Sequence, residues 1–222
     1  MAKFFSFDSK TAQLLSRIWD LLLLNLLFLL GSLPVVTFGA SATAAYSVML
    51  KIIEDREVGI ISDYFLAFKA NLRQGLILSV AFIFLTAAVA VDFILFEVIS
   101  GNPIIFLILG ILSLVLFLVH FFFVFALAAR YRNSIFRHLT NSRDIFSRFL
   151  LRSVICLVLV IFEVWLFFFY DWLLLFVGVF IAPILIIATI SAFAVKFFYA
   201  IEKENGAGEG NRVMSNGSDD QG

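Results

Sequence analysis

The chain has 222 residues, 63% of them hydrophobic and only 14% charged, with a mean hydropathy of +1.07. A water-soluble domain of this length has no core large enough to hide so much apolar surface, which excludes the soluble classes. Its 16 basic and 16 acidic residues leave no formal net charge, so bulk charge draws it to neither nucleic acid nor any other polyanion.

Residues 1–17 read as an interfacial N-terminal segment, with Phe4, Phe5 and Phe7 for the membrane boundary and Lys3, Lys10 and Arg17 for headgroups. No cleavage-site pattern precedes the first apolar run, so that run is expected to stay as an anchor. A transmembrane helical domain follows over residues 18–201, opening with Ile18–Leu33 and stopping at Pro34. The next stretch, LPVVTFGASATAAYSVMLK from Leu33 to Lys51, admits two readings. It either re-enters the bilayer as a short or re-entrant second span, Thr37–Ile53, about 25 Å long at the helical rise, or lies along the surface. In the first reading Pro34 and Gly39 make the turn and Lys51 snorkels to the interface. The small residues from Gly39 to Ala45 then allow close helix packing.

Glu54–Arg73 is polar with interleaved aromatic residues and predicts an interfacial helix. Four longer spans follow: Gly75–Val98, Pro103–Ala129, Leu151–Tyr170 and Leu173–Tyr199. A second interfacial helix precedes the third of these four. Pro183 removes a backbone donor and is expected to kink the last span. Residues 202–222 are polar and glycine-rich, the composition of a disordered tail. The predicted fold class is all-α: a polytopic transmembrane helix bundle of about six spans, the first two short or re-entrant.

Charge placement orients this bundle. The connection from Arg130 to Arg152 carries Arg130, Arg132, Arg137, Arg143, Arg148 and Arg152, while Ser100–Asn102 and Asp171–Trp172 carry no Lys or Arg. Cytoplasmic loops hold the cations. If Leu33–Lys51 re-crosses, all 16 basic residues fall on the cytoplasmic side, with both termini. A repeated pattern, DYFLAFKANLR from Asp63 and DIFSRFLLR from Asp144, fits either an ordinary interfacial motif arising twice or a duplicated hairpin.

Ionisable groups in lipid are costly and therefore candidates for function. His120 and Glu163 fall at similar heights on consecutive spans, so they form a candidate midplane proton or cation site, with a structural hydrogen bond as the alternative. Asn25 reads as an interhelical tie or a further member of that polar site. Asp92, Glu97 and Asp171 form a candidate outer acidic rim, either simply solvated or the vestibule of a cation path. The six arginines, mixed with Phe and Ile, form a candidate cytoplasmic docking face; headgroup anchoring explains them equally. Enzyme signatures such as HExxH, GxSxG and the P-loop are absent, and with two histidines and one cysteine, Cys156, there is no metal cluster. Neither catalysis nor a cofactor is expected.

The N-terminal third carries a resemblance. FFSFDSK, RIWDLLLLNLLFLLGSLPVVTFGASATAAY and DYFLAFKANLRQ are similar to the YesL-like family of bacterial integral membrane proteins of unknown function, most densely over Leu33–Tyr46. Members often occur beside genes for carbohydrate uptake and breakdown. The resemblance implies a multi-pass protein of the bacterial plasma membrane, an accessory or assembly component in carbohydrate use. Its partners beyond the bilayer would be a permease of the ATP-binding-cassette type or another membrane protein, and no family site residues carry over. The alternative from the residues alone is a small secondary transporter or channel using His120 and Glu163.

Overall fold

The computed structural model describes residues 10–99, 103–169 and 172–218. Among them the regular elements are all helical: α1 (Lys10–Gly31), a 3-10 turn (Val35–Thr37), α2 (Phe38–Ile53), α3 (Ile60–Val98), α4 (Ile104–Phe121), α5 (Val124–Arg130), α6 (Ile135–Arg148), α7 (Leu150–Phe168) and α8 (Trp172–Ser218). Five stretches are long and apolar enough to cross a membrane: Val35–Ile53, Ile60–Val98, Ile104–Arg130, Leu150–Phe168 and Val177–Glu204. The surface agrees. Along α4, Ile104, Ile105, Ile108, Ile111 and Leu112 are all exposed, as are Leu151, Val158 and Ile161 on α7. Such a surface is matched by lipid rather than water.

The disputed segment is the centre of the bundle. Of the apolar stretch around α2, 61% is buried, against 11% for α3, α4–α5 and α7. It packs against α1, α3, α5 and α8. A helix lying alone on a membrane surface keeps one face exposed, whereas α2 is enclosed by its neighbours. Every residue from Gly39 to Tyr46 is buried, and the small side chains explain how. A Cβ at Gly39 would stand 2.5 Å from the carbonyl oxygen of Gly75, and one at Gly75 would fall inside the backbone of Ala40. The backbones of α2 and α3 thus touch, as small residues at i and i+4 permit. Gly39 N–H donates to Ser79 Oγ at 2.6 Å, and Ser79 Oγ donates to Gly75 O at 2.9 Å, closing the contact.

Pro34 lies in the turn between α1 and α2 as expected. Thr37 Oγ1 lies 2.7 Å from both Gly31 O and Pro34 O, satisfying carbonyls left over at the helix end. Gly39, by contrast, is no turn residue. It sits inside α2, where its missing side chain serves packing rather than conformational freedom.

Three boundaries differ from expectation. Glu54–Arg73 is not a separate interfacial helix: from Ile60 onwards it is continuous with the following span. The 39-residue α3 is about 58 Å long, nearly twice a hydrocarbon core of about 30 Å. No proline interrupts it, and its single glycine, Gly75, is held against Ala40. The second interfacial helix, α6, is separate, ending at Phe149 (φ −111°, ψ 40°). The span Pro103–Ala129 is in fact broken at Phe122 and Phe123 into α4 and α5. Ser142 of α6 fits into that break, accepting from Phe123 N–H at 3.2 Å and donating to Val119 O at 3.5 Å. Finally, α8 runs on through Pro183 as one helix and continues past residue 202, where the composition predicts disorder. The first turn of that segment is tied down, as shown below.

Aromatic rings fill the rest. Phe38 of α2 meets Phe28 edge-on at 6.0 Å, Phe125 edge-on at 5.7 Å and Phe82 at 5.4 Å, joining α1, α5 and α3. Phe197 of α8 stacks on Phe149 at 4.7 Å and meets Phe123 edge-on at 5.6 Å.

Candidate functional site at the basic end

The candidate midplane pair does not assemble. His120 Nδ1 bonds the carbonyl of Leu116 in its own helix at 2.8 Å. Glu163 Oε1 accepts from Thr189 Oγ1 of α8 at 2.5 Å. The two share neither a hydrogen bond nor an ion pair. Asn25, 2% exposed, donates from Nδ2 to the carbonyl of Phe180 and so ties α1 to α8. Asp92 accepts from Ser113 Oγ at 3.0 Å, nine residues into α4. It is therefore part of the α3–α4 contact rather than of an outer rim with Glu97, which is exposed. Asp171 lies outside the described residues, as do Lys3, Phe4, Phe5, Phe7 and the Ser100–Asn102 connection.

The charged chemistry gathers where α2 and α5 end, beside Glu202 within α8. Arg130, last residue of α5, directs Nε and Nη2 at the two carboxylate oxygens of Glu202, both at 3.0 Å, and Nη1 at Glu54 Oε1. Arg56 holds the other oxygen of Glu54. The Tyr131 hydroxyl donates to Glu202 at 2.7 Å. The Arg130 guanidinium also lies 5.4 Å from the ring of Phe198 and 5.5 Å from that of Tyr199. One planar, five-donor cation thus fastens the ends of α2 and α5 to α8, which a lysine has no fork to do. Around it, Lys51 pairs with Asp63 at 3.1 Å, joining α2 to α3, and Arg148 pairs with Glu204, joining α6 to α8.

The turn after α2 presents Glu54 to this junction. Asp55 takes the left-handed conformation at φ 51°, and Arg56 N–H reaches back to Lys51 O at 3.0 Å, which closes the helix end. Burial by itself raises the pKa of Glu54; the hydrogen bond and charge of Arg130, with Arg56, outweigh it and hold the carboxyl below its ordinary range. Tyr131 is pushed up to about 12, first by burial and then by the hydrogen bond and charge of Glu202. His138 of α6 is buried, and burial pushes its pKa down against a smaller opposing pull from the backbone of Asn133.

The six arginines of the expected docking face therefore divide. Arg130, Arg143 and Arg148 are paired with carboxylates. Arg132, Arg137 and Arg152 have no carboxylate partner among the described residues. Arg132 and Arg137 line a cavity of about 980 Å³ whose walls also include Lys51, Asn71, Gln74 and Ser134. A second cavity of about 660 Å³ lies within the apolar bundle, walled by Phe38, Phe117, Phe121, Trp165 and Pro183. No charged side chain lines it, and neither His120 nor Glu163 reaches it. The signal for this pairing in the sequence is acidic: Glu54, Glu202 and Glu204 each lie within about five residues of a span end, opposite the arginines of the same face.

A family model described as a protein of unknown function, DUF624, matches residues 21–93. The chain is similar to that family over the second half of α1, all of α2 and most of α3. This region supplies Glu54, Lys51 and Asp63 to the basic end. No curated protein and no solved structure matches the chain.

Proposed function

We propose that the chain is a non-enzymatic, multi-pass protein of the bacterial plasma membrane that serves as an accessory or assembly component, docking a partner at its basic end. One observation carries the reading. The basic end is held rigid by the Arg130 junction, yet α6 and its neighbours still present unpaired Arg137 and Arg152 beside Phe136 and Leu151, each 76% exposed. Fixed cations next to exposed apolar side chains suit a membrane-associated partner or the headgroup layer around it. Taking α1 as a crossing in addition to the five apolar stretches gives six, and the positive-inside rule then supports both termini being cytoplasmic. The tie to carbohydrate uptake is supported by the YesL-like resemblance of the N-terminal third alone.

The test places a photo-crosslinking residue at Phe136 and, as a control, at lipid-facing Val158, in the full chain in native membranes. Cross-links from position 136 to one membrane transport protein, absent from position 158, are the expected result. Cross-links to lipid alone at both positions refute docking, and a reporter at residue 2 that reads periplasmic refutes the topology.

A further inference from the structure

The 980 Å³ cavity at the basic end has the size of a small-molecule site. Its walls come from five places: the end of α2, the first half of α3, the end of α5, the linker after it and the start of α6. Four cations line it, Lys51, Arg130, Arg132 and Arg137, against one carboxylate, Asp63. Two of the four are already satisfied, since Lys51 faces Asp63 and Arg130 faces Glu54 and Glu202. The other two have no carboxylate. The neighbouring arginines of α6, Arg143 and Arg148, do pair. The positive-inside rule explains why cations collect at this end, but not why the unpaired ones of the α5–α6 segment share one concavity.

The neutral groups in the wall are held in place. Gln74 Nε2 donates to Asn133 O at 3.1 Å, fixing the linker against α3, and Asn71 Nδ2 donates to Ala67 O at 2.9 Å. Ser134 caps α6, its Oγ accepting from Arg137 N–H at 3.4 Å. The positive end of a 14-residue helix therefore adds to the field of the two guanidinium groups. Arginine presents paired N–H donors that match the oxygens of a phosphate.

We infer that this cavity binds a phosphate-bearing anion through Arg132 and Arg137, with Lys51 adding charge from the α2 side. The phosphate belongs either to a soluble phosphate compound or to an anionic lipid headgroup. The inference shares Arg137 with the docking reading but does not rest on it, because it concerns a ligand held inside the cavity with Arg132 and Lys51 rather than a protein against Phe136 and Leu151.

The test uses the purified full chain. Inorganic phosphate and glycerol 3-phosphate are titrated calorimetrically in phosphate-free detergent solution. Separately, phosphatidylglycerol retained from doped phosphatidylcholine nanodiscs is counted by native mass spectrometry. Saturable binding in the first arm identifies a soluble source, and a defined retained lipid in the second identifies a headgroup. In either case R132Q/R137Q is expected to weaken binding by at least about tenfold. The pair R143Q/R152Q removes the same charge outside the cavity and is expected to change binding by less than about twofold. Should R132Q/R137Q not purify as a single species, R132K/R137K decides, since it keeps charge and loses the fork; affinity equal to wild type overturns the inference. So does equal weakening by the two glutamine pairs, which marks diffuse charge, or no saturable binding in either arm.

Discussion

Replacing Gly75 by alanine probes the α2–α3 contact on which the bundle is built. The new Cβ would lie well inside 3.0 Å of the backbone N and Cα of Ala40, where no flexible side chain can yield. Reaching an ordinary contact of 3.4 Å requires the two helices to part by about 1 Å. Overpacking of this kind costs about 1–3 kcal/mol. Separation also weakens the bond from Gly39 N–H to Ser79 Oγ, and an unmade buried bond costs a further 1–3 kcal/mol or so. Alanine returns about 1 kcal/mol through its higher helix propensity. The net expectation is a loss of about 3 kcal/mol, or roughly 6–12 °C in melting temperature for a chain of this size. The assay is built in: Cys156 is the single cysteine and is 0% exposed, so a thiol-reactive fluorophore reports unfolding in detergent. Gly39→Ala, whose Cβ also meets backbone, should behave alike, and the double variant should cost less than the sum. A Gly75→Ala protein that melts at or above the wild-type temperature refutes the close-contact account.

The remaining predictions concern the basic end. Arg130→Gln leaves Glu54, 6% exposed, and Glu202, 40% exposed, without their shared cation. The expected loss is about 2–4 kcal/mol by the same thiol assay, discounted for the exposure of Glu202, and adding Glu54→Gln should recover at least about 1 kcal/mol. Glu54 also sets an acid limit. Its folded pKa lies below 4.5, so the stability it contributes is complete above that value and is lost as pH falls through the lower, folded one. Melting temperature measured down to about pH 3 should therefore fall more steeply in wild type than in Glu54→Gln, and parallel curves refute the assignment. Ser142→Ala strands the N–H of Phe123, which is 0% exposed. A loss of about 1–3 kcal/mol is expected, and Ser142→Thr, which keeps the hydroxyl, should recover part of it.

Hydropathy made the long spans legible because a lipid-spanning helix writes its length as an apolar run. The Pro34 turn and the small-residue packing of α2 were legible for a similar reason, since each follows from local sterics. The continuity of α3 was not. Between Ile60 and Arg73 the polar residues suggest an interface, but helix continuation depends on the absence of a breaker, and none is present. The break at Phe122 and Phe123 was hidden because all its residues are apolar, and its cause, Ser142, lies 19 residues away. Placing His120 opposite Glu163 failed on rotation. Counting residues from a charged anchor gives height along a helix axis but not the direction a side chain faces. His120 turns to its own helix and Glu163 to α8.

The acidic half of the charge pattern was the more instructive omission. Counting cations alone orients a membrane protein, and six arginines in one connection look like a uniform basic patch. Pairing changes that picture. Arg130 is consumed in joining α2, α5 and α8, and Arg148 in joining α6 to α8, so neither has charge to spare for a ligand. Lipid tails are as apolar as the spans themselves, so apolar contact alone does little to hold helices in one arrangement. Backbone contact at Gly39 and Gly75 and ion pairing at Arg130 perform that task in different parts of the molecule. What these ties leave over, at Arg132 and Arg137, is positive charge on a fixed frame beside a cavity. Recognition chemistry needs both the frame and the unspent charge. Of the two cavities described, only this one has charged residues in its wall.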